Sequence, residues 1–270
     1  MAQEPGKEAE QRRVTLITGA SGGIGADLAR VFAREGHDLA LVARGADKLA
    51  LLADEIEATG RRRPLLLPLD LTSPGSTGAL AAGLGAANAV PDILVNNAGF
   101  GLIGDVAQLN PAEQLAIVDL NIRSLVEITL RFLPSIRAAR GKILNVASIA
   151  AFFPGGPGMT VYYASKAFVL SYSLGLAQEL RKDSVVVSAL CPGATPSGFQ
   201  ERAGFGPEVM LDKLPMTSSM VVAQAGYRGL MAGKREIIPG AFNKIGSALL
   251  PFFPKSILLT LISRMQQKRL

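Results

Sequence analysis

The chain has 270 residues, of which 49% are hydrophobic and 19% charged, a composition that excludes a long disordered or low-complexity protein. One cysteine, Cys191, and one histidine, His37, leave too few side chains for a zinc site or an internal disulfide, so we expect no metal and a reducing, cytoplasmic setting. His37 stands at a predicted helix-to-strand turn, where we expect a solvated surface side chain without a catalytic role. The net charge of +6 arises almost entirely in residues 237–270, which hold five basic residues and no acidic one, and without tryptophan or a basic stripe elsewhere we expect no nucleic-acid partner.

Short apolar runs alternate with longer helical runs between residues 13 and 193. The runs VTLIT and LALVA are almost wholly apolar, which is typical of strands buried on both faces of a parallel sheet. The predicted strands lie at 13–18, 38–43, 64–69, 92–95, 141–147 and 184–190, with a short strand near 236–238. The predicted helices lie near 23–35, 46–59, 75–87, 111–138, 160–182 and 217–232.

This alternation predicts one α/β domain, a doubly wound Rossmann-type parallel sheet with helices on both faces. We expect a catalytic domain over residues 13–240, a disordered tail over 1–12 and an apolar, basic C-terminal extension over 241–270. Residues 194–215 are rich in glycine and proline, so we interpret them as a mobile substrate loop above the strand ends. Asn110 followed by Pro111 is typical of a helix N-cap with proline in the first turn.

A glycine-rich turn follows the first predicted strand and opens the first predicted helix. Gly19, Gly23 and Gly25 permit a tight turn and let backbone N–H groups approach a phosphate, and the helix N-terminus adds partial positive charge. Such a turn is a weak signal alone, but its strand–turn–helix context is the one that dinucleotide binding demands. We therefore expect the pyrophosphate of a dinucleotide at this turn.

Five motifs, in their order and spacing, resemble the short-chain dehydrogenase/reductase family. They are the turn TGxxxGxG at 18–25, Asn96-Asn97-Ala98-Gly99 after the fourth strand, Ser148 after the fifth, Tyr162-xxx-Lys166 in the next helix and Pro192-Gly193 after the sixth. The resemblance covers about residues 13–240 and implies about seven strands in the order 3-2-1-4-5-6-7. The end of the chain is similar to a bacterial branch of uncertain specificity, itself similar to 17β-hydroxysteroid and 3-ketoacyl reductases.

The Tyr–Lys motif carries the expected chemistry. Tyr162 and Lys166 stand four residues apart on a predicted helix, so they share one face, and the ammonium can favour the phenolate of an acid/base tyrosine. The resemblance implies that Ser148 holds the substrate oxygen, that Lys166 binds the nicotinamide ribose, and that Asn121 holds a water that relays protons to Lys166. Taken singly, such a Tyr–Lys pair is usually a surface pair, and Ser148 could merely cap a turn.

Two features complicate the assignment of the acid. Thirteen residues separate Ser148 from Tyr162, one more than the family leads us to expect, in a glycine- and proline-rich segment that can absorb the insertion. Tyr163 could be mistaken for the acid, but it stands three rather than four residues before Lys166. We therefore assign Tyr162.

The expected cofactor site joins the glycine turn to the later motifs. It comprises Gly19, Ser21, Gly22, Gly23, Ile24, Gly25, Arg44, Asp70, Leu71, Asn97, Ala98, Gly99, Tyr162, Lys166, Pro192, Gly193 and Thr195. Asp70 and Leu71 resemble the family's adenine-contacting pair. Arg44 ends the second strand, where NAD-specific sites usually offer an acidic side chain to the ribose 2′-hydroxyl, so NADP(H) is favoured. A solvated Arg44 is the alternative, and we assign the nearby Asp47 to the next helix.

Aromatic side chains dominate the two segments expected to roof the substrate pocket. The expected substrate site comprises Ser148, Phe152, Phe153, Tyr162 and Phe199, with Met159 and Phe205 in the same segments. No fixed cation is placed to hold a carboxylate unless Arg202 or Lys213 swings in. An apolar ketone or secondary alcohol of a lipid-, acyl- or steroid-like kind fits, although these aromatic side chains could instead pack the loop itself.

These residues together predict an NADP(H)-dependent oxidoreductase that interconverts a ketone and a secondary alcohol by hydride transfer. We expect it to act as a homodimer or homotetramer. A non-catalytic NADP(H)-binding regulator or scaffold is the alternative, but it would not need Ser148, Tyr162 and Lys166 together. A family isomerase or epimerase is a third hypothesis, which the spacing of the glycine turn and the short chain disfavour.

The apolar segment 245–263 leaves three interpretations open. It is long enough to span a bilayer, although Pro251, Pro254 and Lys255 interrupt it. It can pack against a partner subunit or over the substrate pocket. It can also lie peripherally at the inner face of the membrane, with its phenylalanines and leucines in the interface and its cations toward anionic lipid.

Overall fold

In the computed structural model, which describes residues 11–196, 198–199, 203–204 and 216–267, seven parallel strands form one sheet in the order β3-β2-β1-β4-β5-β6-β7. The strands are β1 Arg12–Thr18, β2 Leu39–Ala43, β3 Leu65–Pro68, β4 Ala89–Asn96, β5 Lys142–Val146, β6 Val186–Leu190 and β7 Glu236–Ile237. The helices are α1 Gly23–Arg34, α2 Ala46–Ala58, α3 Ser76–Ala86, α4 Pro111–Val118, α5 Leu125–Ala138, α6 Thr160–Glu179, α7 Ser219–Met231, α8 Ala241–Leu249 and α9 Lys255–Gln267. The predicted Rossmann-type fold and strand order are confirmed.

The sheet is buried on both faces because its apolar strands alternate side chains between two helical layers. All five residues of β2 are buried. Leu41 packs in one core cluster with Phe32 of α1. Val42 faces the other side and joins a second cluster with Leu80 of α3 and Ile128 of α5. The alternation therefore produces two cores, one on each face of the sheet.

The predicted continuous helix over 111–138 is interrupted. It divides into α4, a π-helical turn at Asp119–Ser124, and α5. Within the π turn, the Asn121 side chain donates to the Phe100 carbonyl oxygen at 2.9 Å. A π turn inside an α-helix commonly marks a functional position. The predicted start is confirmed, since the Asn110 side chain accepts from the Ala112 N–H with proline in the first turn.

Two expectations near the amino terminus need correction. Strand β1 begins at Arg12, which we assigned to the tail, because the Arg12 backbone pairs with Ala89 of β4 in the sheet. The Arg12 guanidinium also forms an ion pair with Asp38 at 2.7 Å. His37 is not a solvated surface residue but is half-buried. Its Nε2 lies 3.2 Å from the Tyr227 hydroxyl, and its ring meets Phe32 edge-on, so an aromatic contact accounts for it without a catalytic role.

The C-terminal extension folds into two helices, α8 and α9, joined by a 3₁₀ turn at Leu250–Phe252. The sequence had indicated only an apolar segment here. Helix α9 buries Leu258, Ile262 and Gln266, which repeat every four residues and so form one inward stripe. Within the described part of the chain, no helix combines the length and the apolar content needed to cross a bilayer.

The strand order reverses between β1 and β4, which both lie at the centre of the sheet. In open parallel sheets, the connections on either side of such a reversal leave the sheet in opposite directions and open a crevice at the carboxyl ends of the strands. The turns that follow β1, β4, β5 and β6 therefore meet at one edge of the molecule, and each of them carries a motif singled out above.

Candidate active site

A cavity of about 1180 Å³ occupies this edge. Every residue of the expected cofactor set lines it, as do Ser148, Phe153, Tyr162 and Phe199 of the expected substrate set. Phe152 is withdrawn from that set, because it is absent from the described lining and packs instead against a cluster that includes Val169 and Ala189. Arg202, Phe205 and Lys213 lie outside the described residues.

The glycine turn is held tightly against the loop that follows β4. The Asn97 side chain donates to the carbonyl oxygens of Thr18 at 2.9 Å and Gly19 at 3.1 Å. A Cβ atom on Gly25 would collide with the Gly19 carbonyl oxygen and the Asn97 amide. At Gly22, by contrast, a Cβ atom would meet nothing within 4 Å, so the backbone there borders open space in the cavity wall. This turn fits the close approach of a phosphate group.

Two cations lie where β2 ends and α2 begins. Arg44 and Lys48 are both exposed and both line the cavity. Asp47 sits in the first turn of α2, the helical position that we predicted for it. Sequence reasoning missed Lys48, although a second cation four residues after Arg44, in the first turn of α2, was a readable signal. The pair provides positive charge that fits a 2′-phosphate.

Three side chains of the predicted chemistry come together where β5 ends beside α6. Ser148 and Lys166 are buried, with 9% and 6% of their surface exposed. Ser148 caps the following 3₁₀ turn by accepting from the Ala150 N–H at 3.1 Å. Its side chain also lies close enough to the Tyr162 phenol to lower the pKa of that phenol. Ser148 therefore does more than cap a turn, and the extra residue between it and Tyr162 does not separate them.

Lys166 reaches past Tyr162 toward the sheet. Its Nζ donates to the Val146 carbonyl oxygen at 2.9 Å and lies 5.9 Å from the centroid of the Tyr162 ring. Burial lowers the pKa of Lys166 to about 8. Burial raises the pKa of Tyr162 to about 12, against the opposing effect of the neighbouring Ser148 side chain. At neutral pH the phenol is therefore protonated and able to donate a proton, and the ammonium beside it is charged.

Asn121 connects the π turn to α6. Its Nδ2 donates to the Phe100 carbonyl oxygen and to the Ser165 hydroxyl, both at 2.9 Å, and its Oδ1 accepts from the Phe100 N–H at 3.1 Å. A Cβ atom on Gly99 would lie 2.9 Å from Asn121 Oδ1 and 3.3 Å from Lys166 Nζ. The absence of a side chain at Gly99 thus lets both groups approach the same point.

The other side of the cavity is closed by the C-terminal extension. Leu261, Ile262 and Gln266 of α9 line it beside Tyr163. Gln266 keeps only 2% of its surface exposed, and its amide lies 3.5 Å from the Tyr163 hydroxyl. Sequence reasoning missed these residues, and the packing of the extension over the pocket was one of the three interpretations left open. No local motif identifies Gln266, because its place depends on the path of the whole extension.

Comparison with known proteins gives the family. The sequence-family model for short chain dehydrogenases matches residues 13–204 of this chain. Oxidoreductase UcpA of Salmonella typhimurium (strain LT2) is 35% identical over 182 residues, which are 67% of this chain and 68% of that protein. Serine 3-dehydrogenase of Agrobacterium fabrum is 35% identical over 190 residues, 68% of this chain and 72% of that protein.

Solved structures of similar proteins support the same family. A short-chain dehydrogenase from Sphingobium yanoikuyae in complex with NADPH has a TM-score of 0.77 and 32% identity, covering 89% of this chain and 94% of its own. The bulky-bulky ketone specific alcohol dehydrogenase from Comamonas testosteroni has a TM-score of 0.71 and 29% identity, covering 90% and 94%. With its strand order, glycine turn and Ser–Tyr–Lys site in place, the chain belongs to the short-chain dehydrogenase/reductase family and is an oxidoreductase that uses a nicotinamide cofactor.

Proposed function

We propose that the protein is an NADP(H)-dependent reductase of apolar ketones, which also runs in reverse as an alcohol dehydrogenase. The observation that carries the proposal is the meeting of Ser148, Tyr162 and the Lys166 ammonium in the wall of one cavity, which extends from the glycine turn to an apolar end. NADP(H), when bound, supplies or accepts the hydride. The protein side chains supply the proton and hold the substrate oxygen.

Each of the three residues has a distinct role in this proposal. Ser148 donates a hydrogen bond to the carbonyl oxygen of the ketone and fixes its position. Tyr162, whose pKa of about 12 keeps it protonated at neutral pH, donates its proton to the same oxygen. The Lys166 ammonium stabilises the phenolate that remains. Asn121, fixed by Phe100 and Ser165, positions a water for proton return to Lys166.

The proposed preference for NADP(H) rests on charge. Arg44 and Lys48 both line the end of the cavity that the β2–α2 turn forms, and no acidic side chain stands between β2 and Gly45 to accept a ribose 2′-hydroxyl. A guanidinium and an ammonium there fit a 2′-phosphate. The relative from Sphingobium yanoikuyae, which was solved with NADPH, is consistent with this preference.

The proposed substrate class follows from the apolar end of the cavity. Phe153, Met159, Phe199, Leu261 and Ile262 line it. A lipid-, acyl- or steroid-like ketone can bury its hydrocarbon against these side chains. We also propose a cytoplasmic homodimer or homotetramer, since the exposed apolar side chains of Leu130 on α5 and Phe168 on α6 fit a subunit contact.

Turnover tests the proposal directly. NADPH oxidation, followed by absorbance, is measured with a panel of steroid, long-chain and 3-ketoacyl ketones, and then repeated with the Tyr162→Phe variant. Because that variant keeps the ring and loses only the phenol hydroxyl, we expect turnover to fall by at least about a hundredfold while NADPH affinity changes little.

Tyr163→Phe is the matched control, since it removes a phenol hydroxyl from the adjacent residue. It should keep turnover within about tenfold of the unmodified protein. NADPH binding without turnover on any ketone of the panel would favour a regulator instead. Equal loss of turnover in both variants would contradict the assignment of Tyr162.

A further inference from the structure

The C-terminal extension presents an exposed apolar surface. Its members are Phe242, Ile245 and Leu249 of α8, Phe252 and Phe253 of the connecting turn, and Ile257 and Leu261 of α9, which we call the apolar face. Phe252 is the most exposed of them, at 81%. All seven belong to one stretch of twenty residues, 242–261. Exposed apolar surface that is this concentrated marks an interaction site rather than chance exposure.

Helix α8 exposes its apolar side chains, whereas an ordinary surface helix buries them. Its buried residue is Ser247, whereas Phe242, Ile245 and Leu249 point outward at 71%, 62% and 49% exposure. These three recur at the spacing of one helical face. A helix that covers a core places its apolar stripe inward, so this stripe is suited to an apolar environment outside the protein.

The positive charge of the extension indicates which apolar environment this stripe fits. Lys244 and Lys255 flank the connecting turn, Arg264 follows on α9, and all three are exposed. The sequence from 237 to 270 contains no acidic residue. The neighbouring segment 149–160, against which α8 and α9 pack, carries no charged residue of either sign. Among the described residues these three cations form no ion pair. Apolar side chains bordered by such cations are complementary to a bilayer that contains anionic lipid.

The apolar face is continuous with the cavity. Phe242 and Leu261, at the two ends of the stretch, belong to the apolar face and also line the cavity. A side of the molecule that is covered by the acyl region of a bilayer would therefore include part of the cavity wall. Bulky apolar side chains at a cavity rim that faces water gain no free energy from burial. The same side chains at a rim that faces lipid are removed from water, which is favourable.

We propose that the apolar face is a peripheral membrane-binding surface that inserts Phe252 and Phe253 into bilayers containing anionic phospholipid. Prolines on both sides of the pair, Pro251 and Pro254, shape the turn that presents it. The surface does not depend on the reductase activity, so the two proposals fail separately. A second copy of the chain is the competing occupant.

Sedimentation with vesicles tests the surface. The full-length protein is mixed with vesicles of phosphatidylcholine alone or of phosphatidylcholine and phosphatidylglycerol, at low and high salt. We expect binding to the anionic vesicles that weakens with salt. Phe252→Ser with Phe253→Ser should lower the partition coefficient by about ten- to a hundredfold, because burial of each ring is lost. Leu51→Ser, at a 69% exposed position of α2, is the matched control and should leave binding unchanged.

A charge variant gives an independent readout. Lys244→Ala with Lys255→Ala should weaken binding to anionic vesicles by about fivefold per cation and reduce its salt dependence. Arg181→Ala with Lys182→Ala, which removes two exposed cations from the turn after α6, should have no such effect. The melting temperature of each variant, measured alongside, separates loss of binding from loss of folding.

Three outcomes would overturn the proposal. The first is no binding to anionic vesicles, and the second is binding that all four variants share equally. The third is a second copy as occupant, seen as an oligomer whose mass in lipid-free solution falls in the Phe252→Ser, Phe253→Ser variant while vesicle binding is absent. Ketone turnover without vesicles is recorded in parallel, so its loss would count against the proposed reductase and not against the membrane surface.

Discussion

At the scale of single residues, the site places a cation where water is scarce. Lys166 is buried with its Nζ on the Val146 carbonyl oxygen, and that burial lowers its pKa to about 8 from an ordinary value near 10.5. Between these two values the unfolded chain binds a proton that the folded protein does not. Stability of the cofactor-free protein therefore rises with pH across this window, as far as Lys166 is concerned.

Lys166→Met tests this linkage. We expect the unfolding free energy of the wild-type protein, relative to that of the variant, to rise by roughly 1–2 kcal/mol from about pH 7 to about pH 9.5. The reason is that the variant has no proton to lose at this position. Urea denaturation at both pH values, without cofactor, measures the difference. The exposed Lys182→Met is the matched control and should track the wild type. A gap between the wild type and Lys166→Met that stays constant with pH would count against a buried cation.

Gln266 provides a polar group in the apolar part of the cavity. Its amide lies 3.5 Å from the Tyr163 hydroxyl and its side chain is buried. Gln266→Leu should raise KM about tenfold for ketones that carry a distal hydroxyl or carbonyl and leave plain hydrocarbon ketones nearly unchanged. Steady-state kinetics on paired substrates measures the selectivity. An equal change for both members of each pair would contradict a polar contact and indicate a packing effect.

The predictability of these residues depends on how local their relationships are. Tyr162 and Lys166 were readable because helical spacing puts them on one face and because they stand in the order and spacing of the family's motifs. The shifts in their pKa values were not, since they come from burial that only the folded chain creates. Gln266 enters the cavity from a helix about a hundred residues further along the chain, a contact that no local pattern reports. The prediction that Phe152 lines the substrate pocket was wrong for the same reason, because an aromatic residue in the right segment can face a core cluster instead of the pocket.

At the scale of elements, the glycine turn depends on close packing between the loops after β1 and β4. Gly25→Ala should destabilise the fold and abolish cofactor binding, because the added Cβ would collide with the Gly19 carbonyl oxygen and the Asn97 amide. We expect a loss of about 1–3 kcal/mol in unfolding free energy, measured by urea denaturation, and a loss of NADPH binding in titrations.

Gly22→Ala is the matched control from the same turn. Its Cβ position is open, and its φ of 175° is extended backbone that any residue adopts, so stability should change by less than about 1 kcal/mol. Comparable losses of stability in both variants would contradict the collision as the cause.

The strands were the easiest elements to predict, because short apolar runs such as LALVA fit few structures other than a strand that is buried on both faces. The π turn at Asp119–Ser124 was not predicted, since it shares its composition with the helices on either side and differs from them in long-range contacts such as those of Asn121 and Ser124. Helices α8 and α9 were missed because prolines and an apolar run obscure the helical period, and α8 turns its apolar side chains outward.

At the scale of the whole molecule, the cavity joins the loops after six strands to the C-terminal extension. Residues such as Gly22, Arg44, Asp70, Gly99 and Gly193 come from separate parts of the chain and meet only in the folded state. A ligand held by all of them binds the folded protein and not the unfolded chain, so its affinity appears as global stability. Coenzyme choice can therefore be read from thermal unfolding without any knowledge of the substrate.

NADPH at a hundred times its Kd should raise the Tm by about 5–10 °C. NADH at the same concentration should raise it by at least about 3 °C less, since it lacks the charge-assisted contacts of the 2′-phosphate. Arg44→Ala with Lys48→Ala should narrow the gap between the two coenzymes, because those cations line the cavity where β2 ends. Arg181→Ala with Lys182→Ala removes the same charge from the turn after α6 and should leave the gap as it is. Equal shifts from NADPH and NADH in the wild-type protein would contradict the preference for NADP(H), while the nicotinamide-dependent chemistry of Tyr162 would still stand.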